Sequence, residues 1–558
     1  MVKKFFNFFS KEINGLHEAA YLLGFFALLC QLLALVRDRI LAATFGAGHE
    51  LDIYYSAFRI PDFIFVMVAS LVGISVLVPF IIEKVNISLD ASKKFIDNIF
   101  SAFFLLIISV SILAFIFVPY LVPLIFKGFP VKDFPELITL TRILLLSPIF
   151  LGLSNFFGSI TQVYKRFMIY SISPMVYNLG IILGVVFLHP IFGLRGVVYG
   201  VILGAILHLL IQIPFVIKQG MFPKFTFNFD WPEIRKVMIL SVPRTFTLGI
   251  AQITTIFLIA MATFMKDGSV AVFNFSINMQ SVTLSIIGVS YSIAAFPTLA
   301  RFFAEKQLDK FLSEMVTSAR HIIFWSIPIS ILFIVLRAQV VRTILGSGEF
   351  NWDSTRLTAA ALALFSFSAL AQGLILLFVR GYYAMGNTRK PLIIGIISGA
   401  FIVILSYLFV NIFNAYPVFQ YFIESLFRVS DISGTSVLML ALGYSLGISI
   451  NCILLWVCFN KEFAGFSKAL WGTLLHTFSA SVIMGFISYL SLNLFDDLFN
   501  LNTTFGIFMQ GFLSGILGLI AGIIILKLLK NKELEEIWRT LHHKIWKVKP
   551  LPADIAEM

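Results

Sequence analysis

Residues 20–82 decide the fold and read AYLLGFFALLCQLLALVRDRILAATFGAGHELDIYYSAFRIPDFIFVMVASLVGISVLVPFII. Two apolar runs, 20–43 and 53–82, flank a short polar connection. Each run exceeds the roughly 20 residues with which a helix crosses a bilayer. The stretch therefore predicts a helical hairpin that spans a membrane.

Similar apolar runs fill the rest of the chain. Twelve more follow, at approximately 98–126, 136–163, 170–189, 195–217, 238–264, 269–299, 321–341, 357–385, 391–414, 435–458, 470–494 and 503–527. Apolar residues make up 59% of the chain and charged residues 13%, against about 25% charged in soluble domains. The runs are continuous, whereas strands of a membrane barrel alternate. We predict an all-α polytopic membrane protein with fourteen transmembrane helices.

Basic residues fix the predicted orientation. If the N-terminus is cytoplasmic, the inner loops and both tails hold 27 of the 41 Lys and Arg residues, and the outer loops hold 8. Such a bias marks the cytoplasmic side and predicts that both termini lie there. The net charge of +12 then belongs to these loops, so we expect no nucleic-acid partner.

Two residue pairs that recur along the chain indicate an internal repeat. Lys94-Phe95 recurs as Lys310-Phe311, and Lys165-Arg166 recurs as Arg389-Lys390. Parallel repeats of this kind occur in transporters whose two halves rock about a central site. The predicted domains are an N-lobe at 1–225 with helices 1–6, a C-lobe at 226–465 with helices 7–12, helices 13 and 14 at 466–530, and a basic cytoplasmic tail at 531–558.

Charges inside the spans are the candidate site residues, because a charge in the bilayer is costly and usually faces a wet cavity or a partner. Apart from Arg195 and Arg337 near the outer ends of their runs, six arginines lie within spans: Arg37, Arg39, Arg59, Arg142, Arg244 and Arg380. An arginine-rich cavity suits an anionic substrate, because guanidinium binds phosphate oxygens in a bidentate manner. Arg39, Arg142 and Arg380 have the simpler alternative of pairing or reaching the membrane surface. The candidate substrate-binding residues are Arg37, Arg59, Arg244, Arg142, Asp38, Asp52, Asn278 and Gln280.

Catalytic and cofactor motifs are missing from the sequence. It has no phosphate-binding P-loop and no nucleophile elbow, and its histidines are scattered without metal-ligand spacing. The cysteines, Cys30, Cys452 and Cys458, all lie in apolar runs. We therefore expect a carrier that is not an enzyme and that uses no metal and no cofactor.

The first hairpin resembles a known family. Val36-Arg37-Asp38, Phe45-Gly46-Ala47-Gly48, Asp52 and Ala57-Phe58-Arg59-Ile60-Pro61 are similar to the signature of the MurJ/MviN family of the MOP exporter superfamily. Further likenesses include Tyr164-Lys165-Arg166-Phe167, Phe296-Pro297-Thr298-Leu299 and Gly346-Ser347-Gly348-Glu349-Phe350. The resemblance covers roughly residues 20–530.

This resemblance implies a fold and a function. Members have fourteen helices in two lobes around a cationic cavity, and helices 13 and 14 form a groove for a lipid tail. They move lipid II, an undecaprenyl-diphosphate-linked disaccharide-pentapeptide, between the leaflets of the bacterial inner membrane. Arg37, Asp52 and Arg59 match the family's motif, whereas Gln31, Phe65, Val66 and Asn278 stand where studied members carry arginine.

Several functions remain open at this point. The leading hypothesis is a lipid II flippase, and the alternatives are a flippase for another polyprenyl-diphosphate-linked glycan, a drug or cation antiporter, and a transport-dead scaffold for cell-wall synthesis. An antiporter should have an acidic cavity, and a dead scaffold should have lost its arginines. Expected partners are the glycolipid, anionic membrane lipids and proteins of cell-wall synthesis.

Overall fold

The computed structural model describes the chain from residue 16 to residue 546. Within that range, the side chains of 16–23, 74–75, 167, 243–244 and 540–546 lie outside the described part. No strand occurs in residues 16–546. The α-helices are α1 Leu16–Phe45, α2 His49–Ala57, α3 Arg59–Ile64, α4 Ile74–Ile87, α5 Leu89–Ile125, α6 Phe134–Leu144, α7 Leu146–Val163, α8 Phe167–Leu183, α9 His189–Phe192, α10 Leu194–Leu210, α11 Ile213–Lys218, α12 Trp231–Ala262, α13 Ser269–Thr283, α14 Ser290–Ala304, α15 Leu308–Val335, α16 Arg337–Leu345, α17 Trp352–Ser366, α18 Ala369–Ala384, α19 Arg389–Ala415, α20 Pro417–Phe427, α21 Val437–Glu462, α22 Phe466–Asp496, α23 Thr504–Leu528 and α24 Lys532–Trp546.

The apolar runs of the sequence coincide with these helices. Among the described residues, 12 helical segments are long and apolar enough to cross a membrane, and the bent pair α17 and α18 would make a thirteenth. The remaining predicted run, 20–43, lies in α1, whose first residues have no described side chains. The predicted all-helical polytopic class is confirmed, and the count of fourteen stays a prediction.

The helices form two compact units, each described by itself. The first contains the described residues up to Val282 together with Ile344–Phe365 and Asn387–Asn451. The second contains Thr283–Thr343, Ser366–Gly386 and the described residues from Cys452 onward. The boundaries predicted from the repeat follow chain order and differ from these units, so the predicted lobes stay a prediction.

The second span, in the first unit, is not a continuous α-helix. After α3 the chain makes a π-helical turn at Phe65–Ala69 and a 3-10 turn at Ser70–Val72 before α4 begins. Lipid offers no hydrogen bonds to carbonyl groups freed at such a break, so neighbouring helices must supply them. The Ser241 hydroxyl of α12 donates to the Leu71 carbonyl at 2.7 Å, and Ser70 Oγ lies 2.7 Å from Thr245 Oγ1. Side chains of α12 therefore supply hydrogen-bond partners to the Leu71 carbonyl and the Ser70 hydroxyl at the break.

Four connections of the first unit meet at one end, which we call the Asp52 end: 46–48, 127–133, 263–268 and 346–351. The His49 ring contacts Asp133 at 3.0 Å and Asp267 at 3.1 Å. The Glu349 amide donates to the Ala43 carbonyl at 3.0 Å. Gly268 has φ +91°, and a Cβ atom there would collide with the Ala47 carbonyl, so only glycine permits this approach. The connections are thus packed backbone against backbone.

Small residues bring the last two spans together in the second unit. A Cβ at Gly485 of α22 would lie 2.6 Å from Ile331 of α15, and a Cβ at Gly518 of α23 would strike Ser488 of α22. Close approach at glycine is a common way for membrane helices to pack.

The tail helix α24 also docks on the second unit. Glu533 is buried and accepts a hydrogen bond from Thr473 Oγ1 at 2.6 Å. Leu534 and Ile537 pack against a small core of Phe324, Ala480 and Leu526.

Candidate substrate-binding site

A buried carboxylate organises the Asp52 end. Asp52 Oδ2 accepts from the Gly268 amide at 2.7 Å, and Oδ1 accepts from the Ala271 amide at 2.8 Å. These amides lie at the start of α13, where the first N–H groups of a helix have no partner within it. Asp52 therefore caps α13 from a distant part of the chain. Both oxygens of Asp52 accept hydrogen bonds in this cap. The predicted contact of Asp52 with substrate stays a prediction.

A second buried carboxylate holds an arginine in the first span. Arg37 donates through Nε and Nη2 to Asp38 Oδ1, at 2.9 and 2.7 Å. Its Nη1 donates to Asn178 Oδ1 of α8 at 2.9 Å. The other Asp38 oxygen accepts from Asn278 Nδ2 of α13 at 3.2 Å. One charge pair thus joins three helices that are far apart in sequence.

The arginine of the second span, Arg59, is hydrogen-bonded to α13, the helix that also contacts Asp38. Arg59 Nη2 donates to Asn274 Oδ1 at 2.6 Å, and Nε donates to the Tyr55 carbonyl at 3.0 Å. Asn274 and Asn278 are four residues apart, or about 6 Å along the helix. One face of α13 therefore brings the polar contacts of Arg37-Asp38 and Arg59 within one turn of each other.

Tyr55 belongs to this cluster and was missed by the sequence reasoning. Its side chain is buried, its ring meets Phe275 at 5.9 Å, and its hydroxyl has no hydrogen-bond partner among the described residues. The hydroxyl is within electrostatic reach of Asp38, Arg37 and Arg59. Its position four residues before Arg59, on the same helical face, was the signal in the sequence.

The remaining predicted residues lie elsewhere or outside the described part. Gln280 is buried in α13. Arg142 contacts Phe115: its Nε donates to the Phe115 carbonyl at 3.2 Å, and the guanidinium lies 4.5 Å from the ring centroid. These contacts are compatible with the simpler alternative, and the substrate-binding role of Arg142 stays a prediction. Arg244 lies in α12, but its side chain is outside the described residues.

Two further arginines from the spans contact backbone carbonyls. Arg39 Nη1 donates to the Ile344 carbonyl at 3.1 Å. In the second unit, Arg380 Nη1 donates to the Val289 carbonyl at 3.2 Å and also contacts the Ser292 hydroxyl. Both arrangements give the guanidinium N–H groups hydrogen-bond acceptors within the protein, as intramembrane arginines require.

Comparison with known proteins agrees with this architecture. A family model described as "Lipid II flippase MurJ" matches residues 41–509. The "Probable lipid II flippase MurJ" of Haemophilus influenzae is 27% identical over 389 residues, covering 66% of this chain and 76% of the relative. The solved structure "Lipid II flippase MurJ, inward closed conformation" has a TM-score of 0.72 at 22% identity and covers 92% of this chain and 100% of that chain.

A more distant structure shares the fold. An inward-facing multidrug resistance MATE family transporter of the MOP superfamily has a TM-score of 0.64 at 15% identity, covering 78% of this chain and 96% of that chain. The helices and these superpositions define a multi-pass membrane protein with the all-helical fold of MOP transporters. The family model spans well over half of the sequence, and the chain belongs to the lipid II flippase MurJ family.

The Arg37-Asp38 pair generates a stability prediction. Asp38→Asn keeps the size of the side chain but leaves a mostly buried guanidinium without its carboxylate, and losing one partner of a buried pair costs about 3–5 kcal/mol. Adding Arg37→Met should restore part of the lost stability, because no unpaired charge remains. Thermal unfolding in detergent measures both effects. The matched control is Asp309→Asn at an exposed position, which should shift unfolding little. An Asp38→Asn variant as stable as this control would contradict the pairing.

Proposed function

We propose that this protein moves lipid II from the inner to the outer leaflet of the bacterial cytoplasmic membrane by alternating access. The observation that carries the proposal is the family match across residues 41–509. The proteins it resembles are named for this activity. The proposed reaction is a movement of substrate between two sides of the membrane without bond chemistry, and the shared fold with a MATE transporter supports it.

The polar cluster supports a diphosphate as the group that is recognised. Arg37 and Arg59 are oriented by the neutral amides of Asn178 and Asn274. A charged phosphate oxygen is a stronger acceptor for guanidinium than an amide oxygen, so a diphosphate could replace these amides. Tyr55 adds a buried hydroxyl that the described residues leave without a partner. Arg59 and the Asp38 partner of Arg37 contact asparagines one turn apart on α13, and we propose that both arginines and the Tyr55 hydroxyl serve the oxygens of a single diphosphate.

The Asp52 end supports a mechanism with two states. Hydrogen bonds from Gly268 and Ala271 to Asp52, and the contacts of His49, hold the connections of this end together. These contacts can break and re-form without unfolding a helix. Substrate that binds more tightly to one arrangement than to the other shifts the balance between them. Diphosphate binding at the cluster would draw the helices together, and its release outside would let the arginines repel.

The rest of the cavity assignment belongs to the same proposal. Arg244 is proposed to add a third cation, and Gln280 to line the site. Spans 13 and 14, α22 and α23, are proposed to form the groove for the polyprenyl tail. The tight packing of α22 on α15, and of α23 on α22, supports an attachment to the carrier. The basic tail after residue 531 is proposed to contact anionic lipids, and cell-wall synthesis proteins are proposed as further partners.

The orientation is proposed from charge alone. Basic loops resist translocation, so the Asp52 end faces the outside and both termini are cytoplasmic. A cysteine introduced at Lys306, in an exposed turn between α14 and α15, should stay unlabelled by an impermeant thiol reagent added to intact cells. A cysteine introduced at Gly193, in the exposed turn before α10 that the charge bias assigns to the outside, should be labelled. The reverse pattern would overturn the orientation.

A flippase for another polyprenyl-diphosphate glycan is the second candidate. It is favoured by the residues Phe65, Val66 and Asn278, which stand where studied family members carry arginine. Asn278 instead donates to Asp38. The diphosphate would be recognised in the same way, and only the glycan would differ.

Complementation tests the proposed activity. In a strain depleted of its lipid II flippase, the wild-type chain should restore growth, and Arg37→Ala and Arg59→Ala should each abolish the rescue. Arg37→Lys and Arg59→Lys should restore it in part, because lysine keeps the charge but loses the bidentate fork. The matched control is Arg195→Ala, at an exposed position, which should grow like wild type. Full rescue by both alanine variants at equal expression would contradict the site, and rescue only in a strain that lacks a different glycolipid flippase would favour the second candidate.

A further inference from the structure

The connection between α19 and α21 contains a short helix with an unusual exposed face. Four apolar residues of α20 lie on that face at helical spacing, and their exposed fractions are 84% for Val418, 69% for Tyr421, 60% for Phe422 and 57% for Leu426. The only charged residue of the helix is Glu424, which is buried. A helix that borders water carries charged residues on its outer face, and this helix has the opposite pattern.

The other face of α20 is firmly held by the first unit. Glu424 Oε1 accepts from the Thr435 hydroxyl at 2.6 Å and from Gln420 Nε2 at 2.9 Å. The Phe419 ring lies against the Phe413 ring of α19, with centroids 6.3 Å apart. Ile423 is buried. These contacts fix the helix so that its apolar face points away from the protein.

Position along the chain indicates what covers that face. The 27 residues of α19 measure about 40 Å, longer than the roughly 30 Å hydrocarbon core, so its last turns reach the headgroup region. α20 begins two residues later, at the level of that region. The exposed side of α19 is itself apolar, at Phe401, Ile404, Tyr407, Leu408 and Ile412. The apolar face of α20 therefore continues a surface that already faces lipid.

We propose that α20 is an interfacial helix that inserts its apolar face into the membrane leaflet at the Asp52 end. Amphipathic helices of this kind lie in the plane of the membrane with the apolar face at the boundary between headgroups and acyl chains. Tyr421, together with Tyr416 just before the helix, supplies the aromatic rings that favour this depth. The occupant of the face is lipid, and this assignment is independent of which substrate the protein carries.

The segment after α20 links the helix to the connections of the Asp52 end. Arg356 donates to both oxygens of Asp431, at 2.7 and 2.6 Å, and this hydrogen bonding holds the pKa of the Asp431 carboxyl below its usual range. Lys266 contacts the Ser433 hydroxyl. Lys266 lies two residues before Gly268, whose amide donates to Asp52. A membrane-embedded α20 thereby anchors the connection 263–268, whose last residue donates its amide hydrogen to Asp52.

Fluorescence of a label on α20 tests the proposal. The full chain, with its three native cysteines replaced by alanine, carries Phe422→Cys labelled with an environment-sensitive fluorophore and is reconstituted in phosphatidylglycerol–phosphatidylethanolamine vesicles. The controls are Leu408→Cys, exposed on the apolar side of α19, and Ser430→Cys, exposed in the following loop. Nitroxide lipids should quench the label at 422 at least about twofold more strongly than the label at 430, and should quench it comparably to the label at 408.

Two results would overturn the proposal. Emission and lipid quenching at 422 equal to those at 430 would place the face in water. Loss of lipid quenching as the protein-to-lipid ratio rises, accompanied by energy transfer between labelled copies, would show that a second copy of the chain covers the face. Retained binding of the labelled protein to its vesicles and an unchanged unfolding temperature establish that each variant is folded.

Discussion

A guanidinium inside a bilayer must find partners within the protein, and this requirement shapes the first unit. Arg37 donates hydrogen bonds to Asp38 on its own helix and to Asn178 on α8. Asp38 also accepts a hydrogen bond from Asn278 of α13. Leaving such a charge without partners would cost several kcal/mol, a large share of the stability of a folded domain. Spans 1, 5 and 8 are thereby fixed around one charge pair. The same helix, α13, holds Arg59 one turn away and is itself capped by Asp52.

Hydropathy was sufficient for the helices but not for their contacts. The predicted apolar runs coincide with helices because continuous apolar segments have few alternatives in lipid. Asp52 was identified as important from its motif, but its role as a cap of α13 depends on 216 residues of intervening chain. Asn178 and Asn274 are the partners of Arg37 and Arg59, and hydropathy alone does not indicate these contacts. For Arg142 the sequence left a cavity role and a simpler role open, because it does not show that the side chain contacts Phe115.

The departures from the family motif acquire a physical meaning in this cluster. Asn278 replaces a cation by an amide and donates to Asp38, so Asp38 faces one guanidinium and one neutral donor. If the resemblance in the first hairpin extends to these positions, the cluster has fewer positive charges than the family motif implies, and their mutual repulsion is smaller. Under the proposed function, Arg37 and Arg59 would therefore carry a larger share of diphosphate recognition. The short helix α20 was invisible to a search for spans, because its 11 residues are too few to cross a bilayer.

Binding of lipid II by the purified protein tests the central claim most directly, that Arg37 and Arg59 together recognise a diphosphate. Native mass spectrometry can compare the wild-type chain with the Arg37→Ala/Arg59→Ala double variant, using lipid II and a polyprenyl alcohol of equal length without phosphate. The account predicts that the wild type binds lipid II more tightly than the alcohol. It predicts that the double variant loses at least about tenfold in affinity for lipid II, since each charged hydrogen bond contributes about 1.5–3 kcal/mol. Its affinity for the alcohol should not change. Equal affinity of both proteins for lipid II would contradict the account.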